Sequence, residues 1–215
     1  ESSSSLGLVE IKSEAAANDG DSPGYSAETG PVYAKDGVRM NTRVMTSAWR
    51  GGVTTSISHR SSSSIVGGIS SAFHLAGAVV ADAAISHATC LHINIGINGR
   101  EDIGSVSGQI SRLRTMFATA TGTNNPFVNA INGDLPVCAH VHQADDIVQL
   151  LALKNTFKFK LIIIGGAEAH LVAGKLASNG VHVVVTPFNH ATLLTWDQLR
   201  SAWDFNIQTL IHAGV

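Results

Sequence analysis

Two histidines near the middle of the chain, His140 and His142, have a spacing that suits ligands on a β-strand. Side chains two residues apart along a strand point to the same face, so both imidazoles could reach one site. A structural zinc site needs about four ligands and a catalytic site about three, so the pair would be only part of a metal site. The alternative is a hydrogen-bonding role for both rings.

Glu168 and His170 follow the next apolar run of the chain. Together with the two strand histidines they predict a metal site in which Glu168 is the general base. The alternative for Glu168 is an acid in the first turn of a helix, stabilised by the helix dipole. Asp145 and Asp146 are paired carboxylates that suggest acid–base chemistry, but their position at the start of a helix favours capping.

Two further histidines, His59 and His92, end predicted strands, so they could face the same site. The cysteines, Cys90 and Cys138, lie far apart in apolar surroundings, and neither belongs to a CxxC pair. We expect both cysteines to be small buried hydrophobic residues.

The elements that must position these residues alternate between strand and helix in the second half of the chain. Apolar runs predict the strands, and apolar residues on one face predict the helices. The predicted strands are Pro136–His142, Phe159–Ile164 and Val181–Thr186, and the predicted helices are Ala144–Phe157, Glu168–Asn179, Asp197–Trp203 and Ile207–Ala213. Short turns between elements of this length predict a parallel α/β sheet.

The first half of the chain is less regular. One apolar run, Leu6 to Ile11, predicts a strand, and residues 12–40 are expected to form a long loop or insertion. Met45 to Gly52 is typical of a helix end, and Val53 to Ser58 is rich in the β-branched residues of strands. Ser61 to Gly68 is expected to be a Ser/Gly loop.

Composition excludes several classes of function. Of 215 residues, 44% are apolar and 14% charged, and the net charge of −2 gives no reason to expect a nucleic-acid partner. No run approaches the roughly 20 apolar residues of a membrane span. The chain begins at Glu1 and not at Met, so we expect the true N-terminus to be missing, and the compartment stays open.

Three segments of the chain have a distinctive pattern. The longest is LPVCAHVHQADDIVQLLALKNTFKFKLIIIGGAEAHLVAGKLASNGVHVVVTP, where a strand ending His-x-His precedes an Ala-Asp-Asp-Ile helix, and the other two are GGVTTSISHRSSSSIVGG and SSSSLGLVEI. Together they resemble the imidazolonepropionase-like branch of the amidohydrolase superfamily, most closely its divergent fungal members. The second segment is similar to the family's Gly-Val-Thr-Thr strand and its loop, and the third to its first strand. The resemblance implies a TIM-type (β/α) barrel of the metal-dependent hydrolase kind across residues 1–215.

The resemblance also implies a metal site that has lost ligands, with zinc as the expected ion. The family's first-strand His-x-His aligns with Ser3 and Ser5, and its sixth-strand histidine with Gly165 or Gly166. His140 matches the fifth-strand ligand. The expected ligands are therefore His140, His142 and His170, and Ser3, Ser5 and Gly165 are degenerate metal positions.

Two functions remain open. One is a metal-dependent hydrolase of carbon–nitrogen bonds other than peptide bonds, or a related deacetylase, acting on a small-molecule substrate. The other is a catalytically inactive barrel kept for binding or assembly. The chain is expected to run from the first barrel strand to just before the eighth, and an unclosed parallel sheet has exposed edges that favour assembly with another chain.

Overall fold

The structure is a computed structural model that describes residues 4–20, 25–26, 30–60, 64–100, 102–185 and 206–215. The chain divides into two compact units, Glu1–Ile93 and Asn94–Val215. Among the described helices, none has both the length and the apolar character of a membrane span. Strands and helices together make this an α/β fold with antiparallel as well as parallel strand pairs.

The first unit is built mainly of antiparallel strands. Its described elements are β1 (Tyr25–Ser26), β2 (Gly30–Pro31), α1 (Arg43–Arg50), β3 (Thr55–Ser58), β4 (Val66–His74), α2 (Val80–Ala83) and β5 (Ala84–Asn94), of which the last residue belongs to the second unit. β3 pairs antiparallel with β4, and β4 antiparallel with β5. The expectation of parallel strands throughout is therefore wrong for this unit. The connections are too short for the crossover that a parallel pair needs.

The start of the chain also differs from the prediction. Leu6 to Leu8 form a turn in which Gly7 has a φ of +82°, so Leu6 to Ile11 is not a strand. Ser4 alone pairs with β3, through a parallel bridge to Ser58. The leucines of this turn still serve the core, where they pack with Val38, Met40, Met45 and Phe73. The apolar pattern thus predicted burial correctly and the backbone conformation wrongly.

The second unit follows the predicted alternation closely. Its described elements are α3 (Val106–Ala118), α4 (Pro126–Ile131), β6 (Val137–Val141), α5 (Ala144–Phe157), β7 (Leu161–Gly165), α6 (Ala173–Ser178), β8 (His182–Val185) and α7 (Asn206–Ala213). β6, β7 and β8 are parallel neighbours, with Val141 beside Gly165 in the register. The helix predicted over Glu168–Asn179 begins as a 3-10 turn, Ala169–Val172. The helix predicted over Asp197–Trp203 lies outside the described residues.

Apolar strands and one helix face form the core of the second unit. Val137, Ala139 and Ile163 on the strands and Ile147 and Leu150 on α5 are fully buried. Behind them, Phe117 stacks on Phe159 at a centroid distance of 4.7 Å and meets Phe127 edge-on. Strands covered by a helix layer need apolar residues, and β7 and β8 provide them. This packing fixes where β6 and β7 end, and the candidate site residues of this unit lie at those ends or just beyond them.

Candidate functional site

The first unit brings His59 and His92 together at the ends of two strands. β3 and β5 are both antiparallel to β4 and hence parallel to one another, so their carboxyl ends lie at the same edge. The two rings stack with centroids 4.3 Å apart and 14° between their planes. Their ligand nitrogens lie within 4.8 Å of each other. The register partner of His92 on β4 is Gly68, which has no side chain to separate the rings.

His59 is fixed in one tautomer. Its Nδ1 lies 2.9 Å from the carbonyl oxygen of Arg60. Since a carbonyl oxygen only accepts, Nδ1 carries the proton and Nε2 the lone pair of the neutral ring. Burial lowers the pKa of His59 and outweighs the opposing effect of this hydrogen bond. The neutral ring, which is the form that binds metals, is therefore favoured at physiological pH.

Serine hydroxyls lie where the resemblance places lost first-strand ligands. Ser3 lies outside the described residues, and Ser5 is half-buried. Between them in sequence, Ser4 bonds through its hydroxyl to the hydroxyls of Ser56, at 2.9 Å, and Ser58, at 3.4 Å. This network satisfies buried polar groups of the sheet. Its hydroxyls are engaged with one another.

In the second unit, His142 lies against Gly165. His140 is on β6, and His142 follows the end of that strand. A Cβ built on Gly165 would lie 2.5 Å from Cε1 and 2.9 Å from Nδ1 of the His142 ring. The imidazole therefore occupies the space of a side chain that Gly165 lacks. Burial lowers the pKa of His142, which favours its neutral form as well.

Glu168 caps the start of α5, whereas the sequence predicted an acid in the first turn of the helix over Glu168–Asn179. Its Oε2 accepts a hydrogen bond of 2.9 Å from the backbone N–H of Ala144, the first residue of α5. The expectation that Asp145 and Asp146 cap this helix needs correction, since Glu168 supplies the carboxylate to Ala144. Asp146 is instead buried, and its pKa is raised by burial first and then by the charges of Asp145 and Glu168.

Beyond Glu168 the same loop carries His170, which is half-buried. Its Nδ1 is buried without a hydrogen-bond partner among the described residues, and so are Nδ1 of His142 and Oδ1 of Asn206. Asn206 was not predicted as a site residue. It is distant in sequence and has no motif around it, so nothing local could have singled it out.

A fit to a divalent ion can be judged from these donors. Imidazole nitrogens are good zinc ligands, and His59, His92, His142 and His170 carry such groups. Both cysteines are buried as predicted. Neither is a free thiol, however, so the view of them as simple hydrophobic residues was incomplete. A thiolate ligand is therefore not available, and the donor set suits an ion held by imidazole and oxygen.

Comparison with known proteins identifies one relevant fold. No family model matches the sequence, and the search of curated proteins gives no match. Among solved structures, an amidohydrolase from Thermotoga maritima MSB8 matches 100% of this chain with a TM-score of 0.83 and 23% sequence identity. The chain has an amidohydrolase fold. It spans 62% of the length of the Thermotoga chain.

Proposed function

We propose that this chain is an amidohydrolase-related protein that hydrolyses a carbon–nitrogen bond other than a peptide bond, with the help of a divalent metal ion. The observation that carries the proposal is the stacked pair of His59 and His92 at strand ends within an amidohydrolase fold. Catalytic residues of (β/α) barrels gather at the carboxyl ends of strands. The proposal includes an incomplete barrel of the imidazolonepropionase-like kind.

The chain's own residues would bind and orient the reacting groups. A bound zinc ion would lower the pKa of a coordinated water and polarise the substrate carbonyl. His59 presents its lone pair on Nε2 because Nδ1 donates to the Arg60 carbonyl, and such a bond orients a metal-binding ring. In the second unit the proposed ligands are His140, His142 and His170, with Glu168 as the proposed general base.

Metal content is the direct test of this function. A catalytic site holds its ion with about three ligands. Protein purified without chelator should therefore retain its ion, at about one zinc, manganese or iron per chain. His59→Ala and His140→Ala should each lower that content, and hydrolysis of amide and cyclic-amide substrates should fall with it. His87→Ala is the matched control, since His87 is an exposed histidine on β5. A protein that neither binds added zinc nor hydrolyses these substrates would overturn the proposal.

A second candidate is a catalytically inactive barrel that serves binding or assembly. Ser5 and Gly165 at expected ligand positions favour it, and so do the exposed side chains Leu171, Ile207 and Ile211 of the second unit, which are 62%, 55% and 66% exposed. Exposed apolar patches mark interaction surfaces. Sedimentation velocity on metal-free protein tests this candidate. Self-association of the unmodified chain, abolished by Ile207→Ser and by Ile211→Ser, would favour it.

A further inference from the structure

Three buried polar atoms of the second unit lie around one loop, Gly165–His170. They are Nδ1 of His142, Nδ1 of His170 and Oδ1 of Asn206, and none has a hydrogen-bond partner within the described part of the chain. A buried polar atom left without a partner is unfavourable, because it has lost its hydrogen bonds to water and gained none in the protein. Native proteins leave few such atoms, and each calls for an explanation, such as a bound ion or water.

Contacts to the loop hold each of the three groups in place. The His142 ring lies against Gly165, and the loop bonds back to it through the Glu168 N–H, 2.9 Å from the His142 carbonyl oxygen. His170 is itself part of the loop. Nδ2 of Asn206 lies 3.0 Å from the carbonyl oxygen of Gly166 and 3.4 Å from that of Ala167.

The chemistry of these contacts decides which atoms remain available. Two carbonyl oxygens can only accept, so the atom that Asn206 turns toward the loop is its NH₂ group. Its oxygen is therefore the atom left over, and Asn206 is only 3% exposed. A neutral imidazole, such as that of His142 or His170, has a lone pair on one of its two nitrogens. Two imidazole nitrogens and an amide oxygen are all electron-pair donors, which are the atoms that bind a metal cation.

We propose that the Gly165–His170 loop, together with His142 and Asn206, forms a divalent-cation site whose donors are Nδ1 of His142, Nδ1 of His170 and Oδ1 of Asn206. Nitrogen and oxygen donors of this kind suit zinc. Gly165 is part of the site, because any side chain there would displace the His142 ring. The inference deepens the proposed function and rests on it for the class of ligand.

Zinc binding to the purified, metal-stripped chain tests the site. His142→Ala, His170→Ala and Asn206→Leu should each weaken zinc binding by about 10-fold or more, since even outer partners of metal ligands contribute about 10–100-fold. Cobalt substitution should give a visible spectrum that these variants lose. His212→Ala is the matched control, because His212 is an exposed histidine on the same helix as Asn206. Asn206→Asp keeps an oxygen donor and should retain zinc.

The same titration separates this inference from the proposed function. Zinc that is lost in His142→Ala, His170→Ala and Asn206→Leu supports the loop site. Zinc that all three variants retain, but that His59→Ala loses, overturns the loop site and removes His142 and His170 from the proposed ligands, while a metal-dependent function carried by the His59 and His92 pair stands. No zinc bound by the unmodified chain overturns both. Melting curves in zinc-free buffer show whether each variant is folded. If Asn206→Leu does not fold, Asn206→Asp is used in its place.

Discussion

The imidazole of His142 fills the space beside Gly165 that a side chain would otherwise take. Its Cε1 is 2.5 Å from where a Cβ on Gly165 would lie, well inside van der Waals contact. Gly165 also has a φ of +97°, a conformation that residues with a Cβ adopt at a cost. Two independent reasons therefore require glycine at the end of β7.

Gly165→Ala should destabilise the fold. Overpacking of a buried position typically costs about 1–3 kcal/mol, and the positive φ adds strain. Removing the ring in Gly165→Ala/His142→Ala should recover the part of the loss due to the clash and leave the part due to φ. Urea denaturation of the single and double variants in metal-free buffer measures both parts.

Gly174→Ala is the matched control for this prediction. Gly174 lies in α6 with nothing within 4 Å of a built Cβ, so alanine there should stabilise the helix by about 0.5–1 kcal/mol. A Gly165→Ala protein as stable as Gly174→Ala would contradict the contact between His142 and Gly165.

Asp146 should make the fold less stable as the pH rises. Its pKa is raised in the folded state above the ordinary value of 3.8, by burial and by Asp145 and Glu168. Stability from its neutral form is fully present below the unfolded pKa and is lost as the pH rises through the folded pKa. Asp146→Asn should therefore raise the Tm at neutral pH, and the gain should vanish in acid. Asp134→Asn, at an exposed position, should show no such pattern.

His59 should make the fold sensitive to mild acid. Burial lowers the pKa of His59 below the ordinary value of 6.5, so the unfolded chain takes up a proton first as the pH falls. Stability is thus full above the unfolded pKa and is lost as the pH falls toward the folded pKa. In urea unfolding, His59→Gln should flatten the decline in stability that sets in as the pH falls below 6.5. An unchanged decline, equal to that of exposed His87→Gln, would contradict the burial of His59.

The second unit could largely be predicted from sequence because its signals are local. The apolar residues of Ala144–Phe157 recur at the helical period, and α5 has those bounds. β4 was missed because Val66–His74 contains two glycines and two serines, which are typical of a loop. Its strand conformation comes from pairing with β3 and β5, and such long-range pairing leaves no local pattern.

The candidate site, like the fold, could be predicted only where its signals are local in the sequence. The spacing of His140 and His142 suggested ligands because it is local, and the placement of His170 and Glu168 was expected from family order. The stacking of His59 on His92 depends on strand pairing over Gly68, so the sequence indicated only that both follow strands. Asn206 was missed altogether, since its role depends on a contact with Gly166 from far along the chain.

Glu168 allows a structural and a catalytic role to be separated. Its Oε2 accepts from the Ala144 N–H at the start of α5, so Glu168→Ala should cost about 0.5–2 kcal/mol, as the loss of a helix cap does. Glu168→Gln keeps an oxygen acceptor and should cost less. A general base, in contrast, should lose about 100-fold or more of kcat in Glu168→Gln without a matching loss of stability.

Glu10 is the matched control for Glu168. Its Oε1 accepts from the Arg43 N–H, 2.8 Å away, at the first residue of α1. Glu10→Ala should therefore lower the free energy of unfolding, and leave metal binding and hydrolysis unchanged. Chemical denaturation and kcat are measured for both residues side by side. If Glu168→Gln lowers kcat no more than Glu10→Gln does, Glu168 acts only as a helix cap and the general base must be sought elsewhere.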